Sequence, residues 1–174
     1  GGVESLSSVG FLGDNASYYS DPKLSASLNW APPVMGAELI ATIEGYSKRE
    51  LDEVTLKSHK KAAIAWQNGS YKESVIPVKD VNGKILLDHV ELIRQGLTAE
   101  KLGSMPPAFA EQGKLGFDKM MLAKQPALDA IQHIHSIANC PGMADGAALT
   151  VIGSKAAGAA VGLEAKARII AAIE

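Results

Sequence analysis

Three side chains close together in the C-terminal third could do chemistry: His133 and His135, and Cys140, the only cysteine. Cys140 lies in the run ANCPGMADGAALTVIGSKAAG (138–158). A thiol attacks carbon only as thiolate, so a nucleophilic cysteine needs a neighbouring base or positive field. No acid or base signal flanks Cys140, which leaves a small buried thiol as the second reading. His133-x-His135 with Cys140 supplies three metal-ligand types, but their spacing is looser than metal-binding patterns require. Locally hydrogen-bonded or solvent-facing histidines are the alternative. The glycines of GKLGF and AAGAAVG lack the strand-to-helix context of a phosphate-binding loop, and that reading is discarded.

The elements that must position these groups can be read from capping and periodicity. Residues 1–33 are rich in Gly, Ser, Asn and Pro and read as loop leading into a helix. GAELIATIEGY makes one short helix, and SKRE (Ser47 to Glu50) is a capping box for the next. Behind it Leu51, Val54, Ser58, Ala62, Ala65 and Trp66 follow helical spacing, with Gly69 as the stop. SVIPVKDVNGKILLD reads as a β-hairpin turning on Asn82-Gly83, both central residues tolerating positive φ. Short helical pieces follow in TAEKLGSM and FDKMMLAKQPALDAIQHIHS, where Met120, Met121 and Leu122 read as helix core. GAALTVIG then reads as a buried strand, Ser154 caps an Ala/Gly-rich helix that Gly162 ends, and KARIIAAI reads as a further apolar strand.

Composition narrows the class. The chain has 174 residues, 47% apolar but only 5% aromatic, with Ala and Gly abundant, which suits an α/β protein with close helix–sheet contacts. Seventeen basic against nineteen acidic residues give a net charge of −2, so no strong field recruits nucleic acid or an anionic membrane. No apolar run approaches the roughly 18–20 residues needed to span a bilayer. A single cysteine excludes an internal disulfide and favours a reducing, cytoplasmic setting. The strand–helix–strand close needs sheet neighbours that the sequence scarcely supplies. With an opening GGVESLSS that has no methionine, this leads to the expectation of a segment of a larger protein or a tightly associated subunit.

Five collinear stretches carry a family resemblance: GGVESLSS; PVMG (33–36); GYSKRELDEVTLKSHKKAAIAWQNGSYKESVIPV; IRQGLTAEKLGSMPPAF; and ANCPGMADGAALTVIGSKAAGAAVGLEAKARI. Together they span essentially the whole chain and resemble the thiolases, acyl-CoA acyltransferases. The resemblance implies a thiolase-like α/β fold: a mainly helical substrate-loop domain with a small β-hairpin, plus partial strands and a helix of the layered α/β core. It divides the chain into the end of the N-terminal core (1–8), the CoA loop domain (9–141), a return strand and helix (142–163) and the start of the C-terminal core (164–174).

In thiolases the acyl-accepting cysteine precedes the GG-x-E-S segment, and the activating histidine and second cysteine follow the P-x-A-R-I strand. The resemblance therefore implies no catalytic residue in this chain, Cys140 included, and no activity of the chain alone. It implies a substrate site instead: Arg94 near the CoA nucleotide, Met35 and Phe109 along the pantetheine–acyl tunnel, and Ile137 and Pro141 beside the pantetheine. Val34 stands in place of the family histidine and Pro141 in place of a common serine. The chain is also longer than simple thiolases between Phe109 and Asn139, where the added KLGFDKMMLAKQPALDAIQHIH either reshapes the acyl pocket or covers a subunit contact. No cofactor is implied, since CoA thioesters are the substrates, and the parent is expected to be a homo-oligomer, a dimer or tetramer. The resemblance leaves open whether it cleaves or condenses acyl chains. The alternative function is a non-catalytic, thiolase-like protein binding acyl-CoA or lipid, or serving as a partner subunit.

Overall fold

A computed structural model describes residues 1–9 and 16–172. Residues 10–15, inside the expected N-terminal loop, and 173–174, at the end of the expected last strand, lie outside the described residues. The chain divides into two compact units, residues 1–11 with 143–174, and residues 12–142.

The first unit is built on an antiparallel ribbon. Strand β1 (Gly2–Glu4) pairs with β4 (Gly146–Ala148), Val3 lying opposite Ala147. Helix α1 (Leu6–Val9) follows β1, and Ser7 ties back to the ribbon by donating its amide hydrogen to Asp145 Oδ1 over 2.8 Å. Near the end of the unit lies α8 (Lys155–Ala160), whose cap is the expected one: Ser154 Oγ accepts from the amide of Ala157 at 3.1 Å.

Two expectations fail here. The run GAALTVIG is not a buried strand: only its first three residues pair, and Leu149, Val151 and Ile152 are exposed. KARIIAAI forms no strand among its described residues, with Ile169 and Ile170 exposed. A β-branched run becomes a buried strand only when hydrogen-bonding neighbours and a covering layer exist, and a two-stranded ribbon provides neither.

The second unit is mainly helical. A 3-10 turn (Ser17–Tyr19) leads to α2 (Pro22–Ser27), whose N-cap Asp21 accepts from the amides of Lys23 and Leu24. Helix α3 (Pro33–Glu44) starts three residues before the expected helix, because Pro33 occupies its first turn, where a missing N–H costs nothing. Helix α4 (Lys48–Gln67) carries the capping box as read: Ser47 Oγ accepts from the Glu50 amide, and Glu50 Oε2 accepts from the Ser47 amide at 2.8 Å. Its face differs from the expected apolar stripe. The buried residue of α4 is Asp52, while Val54 is 68% exposed.

The hairpin forms from β2 (Val78–Lys79) and β3 (Ile85–Leu87), but its turn is not the one expected. Gly83 alone has positive φ (84°), and the Gly83 amide donates to the carbonyl of Asp80. Val81 and Asn82 are thus the central residues of a type I turn, and Gly83 completes a bulge. Asp80 selects this geometry, since its Oδ1 accepts from the amides of both Asn82 and Lys84 at 2.8 Å.

Beyond the hairpin come α5 (Ala99–Gly103, capped by Thr98), α6 (Ala110–Gln112), a π turn (Gly113–Phe117) and α7 (Asp118–Leu122). The core gathers Met35 of α3, Phe117, Met121 of α7 and Ile131, with Val34, Leu39, Met120 and Leu122 partly buried against it. Fully burying each such side chain contributes about 1.5–3 kcal/mol. Residues Phe117, Met121 and Ile131, all between Phe109 and Asn139, thus build the core around α3.

Candidate functional site

The segment 131–142 leaves the core at Ile131 and crosses α3. Glu38 of α3 meets it with no exposed surface of its own. Glu38 Oε2 accepts from the Ile134 amide at 3.0 Å and lies 2.8 Å from His135 Nδ1, and Oε1 accepts from the His135 amide at 3.2 Å. A carboxylate only accepts, so His135 presents its Nδ1 proton to it. One turn along α3, Thr42 Oγ1 accepts from the Gln132 amide at 2.9 Å. Glu38 and Thr42 share a helix face at i, i+4 spacing, and together they take the backbone amides of Gln132, Ile134 and His135.

His133 turns the other way. Its Nε2 is 3.0 Å from Asp118 Oδ2, while its Nδ1 lies 3.8 Å from Glu38 Oε1 and has no hydrogen-bond partner. The two histidines are therefore spoken for by carboxyl groups. Among the described residues, no three His, Cys, Asp or Glu side chains are placed to hold a metal ion.

The segment then enters a 3-10 turn (Ile137–Asn139) anchored by Asn139. Asn139 Oδ1 accepts from the amide and the hydroxyl of the fully buried Ser136, both at 2.8 Å. Its Nδ2 donates to Asp52 Oδ1 and Thr55 Oγ1 on α4, both at 3.0 Å. Asp52 also receives Lys48 Nζ at 2.6 Å, and the same ammonium donates to the carbonyl of Leu102 in α5. The turn is thus fixed to α4 and through it to α5.

Cys140 follows the turn, half-buried, its thiol donating to the carbonyl of Ser136 over 3.7 Å. Burial pushes the thiol pKa up, and the charge of Glu38 pushes it further. Both effects disfavour the thiolate, opposite to what a nucleophile needs.

The five expected substrate contacts are distributed as follows. Met35 is fully buried in the core and presents no surface to a ligand. Phe109 is half-buried; the preceding Ala108 donates its amide to the carbonyl of His135 at 2.9 Å. Ile137 is 64% exposed at the start of the turn, and Pro141 is exposed just after it. Arg94 is exposed, with its amide donating to His59 Nδ1 of α4 at 3.2 Å. Two residues before it, Leu92 packs on Gly142 so closely that a Cβ there would lie 2.6 Å from Leu92 Cδ1. The segments bearing Phe109, Arg94, Ile137 and Pro141 are all tied to residues 134–142. A cavity of about 440 Å³ lies beside them, lined by Tyr46, Glu50, Leu51, Val54, Thr55, His135 and Asn139, but by none of the five.

Glu38 and Asn139 organise this region, and sequence reading assigned neither a role. The signal for Glu38 was its place among apolar residues in PVMGAELIATI, with HIH downstream to receive it.

Residues 1–116 match the family model described as "Thiolase, N-terminal domain". This chain belongs to the thiolase family. Among curated thiolases it is 34% identical to the 3-ketoacyl-CoA thiolase of Marinobacter nauticus over 114 residues, covering 63% of this chain and 28% of the relative. The 3-ketoacyl-CoA thiolase of Pectobacterium carotovorum is 28% identical over 174 residues, 97% of this chain and 39% of that protein. That of Photobacterium profundum is 34% identical over 114 residues, 63% of this chain and 29% of the relative. The chain thus spans well under half the length of these thiolases. Among the described residues no helix is long and apolar enough to cross a membrane.

Proposed function

We propose that this chain supplies the coenzyme A- and acyl-binding part of an acyl-CoA acyltransferase. The enzyme transfers acyl groups between CoA thioesters by Claisen condensation or its thiolytic reverse. Residues 9–141 form the substrate-loop domain, 1–8 and 142–163 belong to the N-terminal core and 164–174 begin the C-terminal core. The chain contributes binding and not the reacting groups, so that it is inactive by itself. The same reading includes a dimeric or tetrameric assembly working in the cytoplasm.

The observation that carries it is the joining of four expected contact segments around residues 134–142, through Ala108 on His135, Leu92 on Gly142 and the Asn139 anchor on α4. Arg94 offers an unpaired guanidinium among the described residues, suited to a phosphate of the nucleotide. Ile137, Pro141 and Phe109 offer apolar surface for the pantetheine arm, and Met35 contributes as core packing beneath α3. The names of the three relatives support acyl-CoA as the substrate class.

Amide hydrogen exchange of the protein with and without CoA tests the site. Protection confined to residues 92–96, 108–109 and 134–142 is expected; protection elsewhere, or none at saturating CoA, contradicts the assignment.

A further inference from the structure

The carboxyl group of Glu38 has no exposed surface, yet among the described residues it pairs with no lysine or arginine, only His133 and His135 standing within 4 Å. Burying such a group is costly unless its oxygens are filled with donors. Here all the donors belong to residues 134–135, two of them backbone amides. The bonding is thus spent on the path of the main chain. Thr42, one turn away, repeats the arrangement on the Gln132 amide. The carbonyl of His135, on the far side of the same peptide run, accepts from Ala108 next to Phe109. The Ile137–Asn139 turn begins two residues later and is pinned independently to α4 by Asn139. The exposed Ile137 lies between these two anchors.

We propose that Glu38 is a positioning residue for coenzyme A: its buried carboxylate clamps the amides of Ile134 and His135 and thereby sets Ile137, Pro141 and Phe109 at the spacing the thioester arm requires. This rests on the CoA-binding reading above and adds a residue to it that touches no substrate. Glu38→Gln keeps the shape but places an NH2 group against amide hydrogens, so one of the three bonds must open. The clamp loosens without emptying the core.

The test compares the complete protein with its Glu38→Gln and Arg94→Ala variants. Coenzyme A affinity, KM and kcat for acyl-CoA turnover, and amide exchange at Ile134 and His135 are measured together. In Glu38→Gln, exchange at the two amides accelerates, CoA affinity falls about tenfold and KM rises with it, while kcat stays within about twofold, since one charged hydrogen bond is lost and no reacting group is touched. Accelerated exchange with unchanged affinity and KM, while Arg94→Ala weakens CoA, overturns the positioning role and leaves the CoA site standing. Unchanged affinity in both variants overturns the CoA reading and the positioning role with it. A fall in kcat without a change in KM also overturns it. Should Glu38→Gln fail to fold, Thr42→Val removes the acceptor of the Gln132 amide on the same helix face, together with the hydroxyl's own bond to the Glu38 carbonyl inside the helix. It is then expected to raise the Kd for CoA about threefold, and an unchanged Kd overturns the proposal.

Discussion

Glu38 Oε2 lies 2.8 Å from Nδ1 of His135, a residue 97 positions further along the chain. That contact joins the helix built around Met35 to the segment carrying Ile137 and Pro141, and it explains why a glutamate occupies the apolar face of α3. An isolated buried carboxyl would destabilise the fold; one filled by three donors fixes the course of a loop.

A second buried carboxylate does the same for α4. Asp52 receives Lys48 Nζ and Asn139 Nδ2. Asp52→Ala takes one acceptor from each donor, Lys48 keeping the Leu102 carbonyl and Asn139 keeping Thr55 Oγ1, and is expected to cost about 1–3 kcal/mol. Urea unfolding of the variant measures it, and a change below about 0.5 kcal/mol would show that the network contributes nothing.

Gly116 has φ of 121°, outside the range of ordinary L residues, and a Cβ there would lie 3.1 Å from Pro22 Cγ. Gly116→Ala is therefore expected to destabilise the protein by about 1–3 kcal/mol, through backbone strain rather than lost contacts. Thermal unfolding gives the size, and Gly36→Ala inside α3, where nothing lies within 4 Å, serves as the control of opposite sign, expected to stabilise by about 0.4–1 kcal/mol.

Asp145 carries a pH dependence. Ser7's hydroxyl, and then its amide, hold the Asp145 carboxyl below the ordinary range. A depressed carboxyl stabilises the folded ribbon above the ordinary carboxylate value, and that contribution disappears as pH falls through the lowered one. Protection of the Ser7 amide, its exchange rate relative to the intrinsic rate at each pH, should fall over that acid window, and Asp145→Asn should abolish that fall. An Asp145 titration at the ordinary carboxylate value would contradict this.

Cys140 should alkylate slowly. Its thiol is pushed up by burial first and by Glu38 second, so its iodoacetamide reaction should climb only at higher pH than that of a free thiol. Rapid alkylation at neutral pH would restore the nucleophile reading.

Local features of this fold were readable in the sequence, and long-range ones were not. Ser47 with Glu50, and Ser154, act on amides three residues away, so their roles follow from spacing alone. Asn82-Gly83 was half legible: the turn is there, but Asp80's carboxylate chose its type. Glu38 and Asn139 act across 97 and 87 residues, and no periodicity reveals such a partner. The run GAALTVIG misled because apolar β-branched composition reports what a strand would bury, not whether a sheet is present to bury it. The family itself was legible, since five weak motifs in order are together specific. Of the site, exposure separates Arg94, Ile137 and Pro141 from Met35, which the sequence could not do.

The most direct test of the CoA-binding account is calorimetric titration of coenzyme A into the protein and its Arg94→Ala variant. A weakening of about 1–3 kcal/mol, roughly 5- to 150-fold in Kd, is the predicted result for loss of a charged hydrogen bond to a phosphate. An unchanged Kd would contradict the placement of the nucleotide at Arg94 and, with it, the site built around residues 134–142.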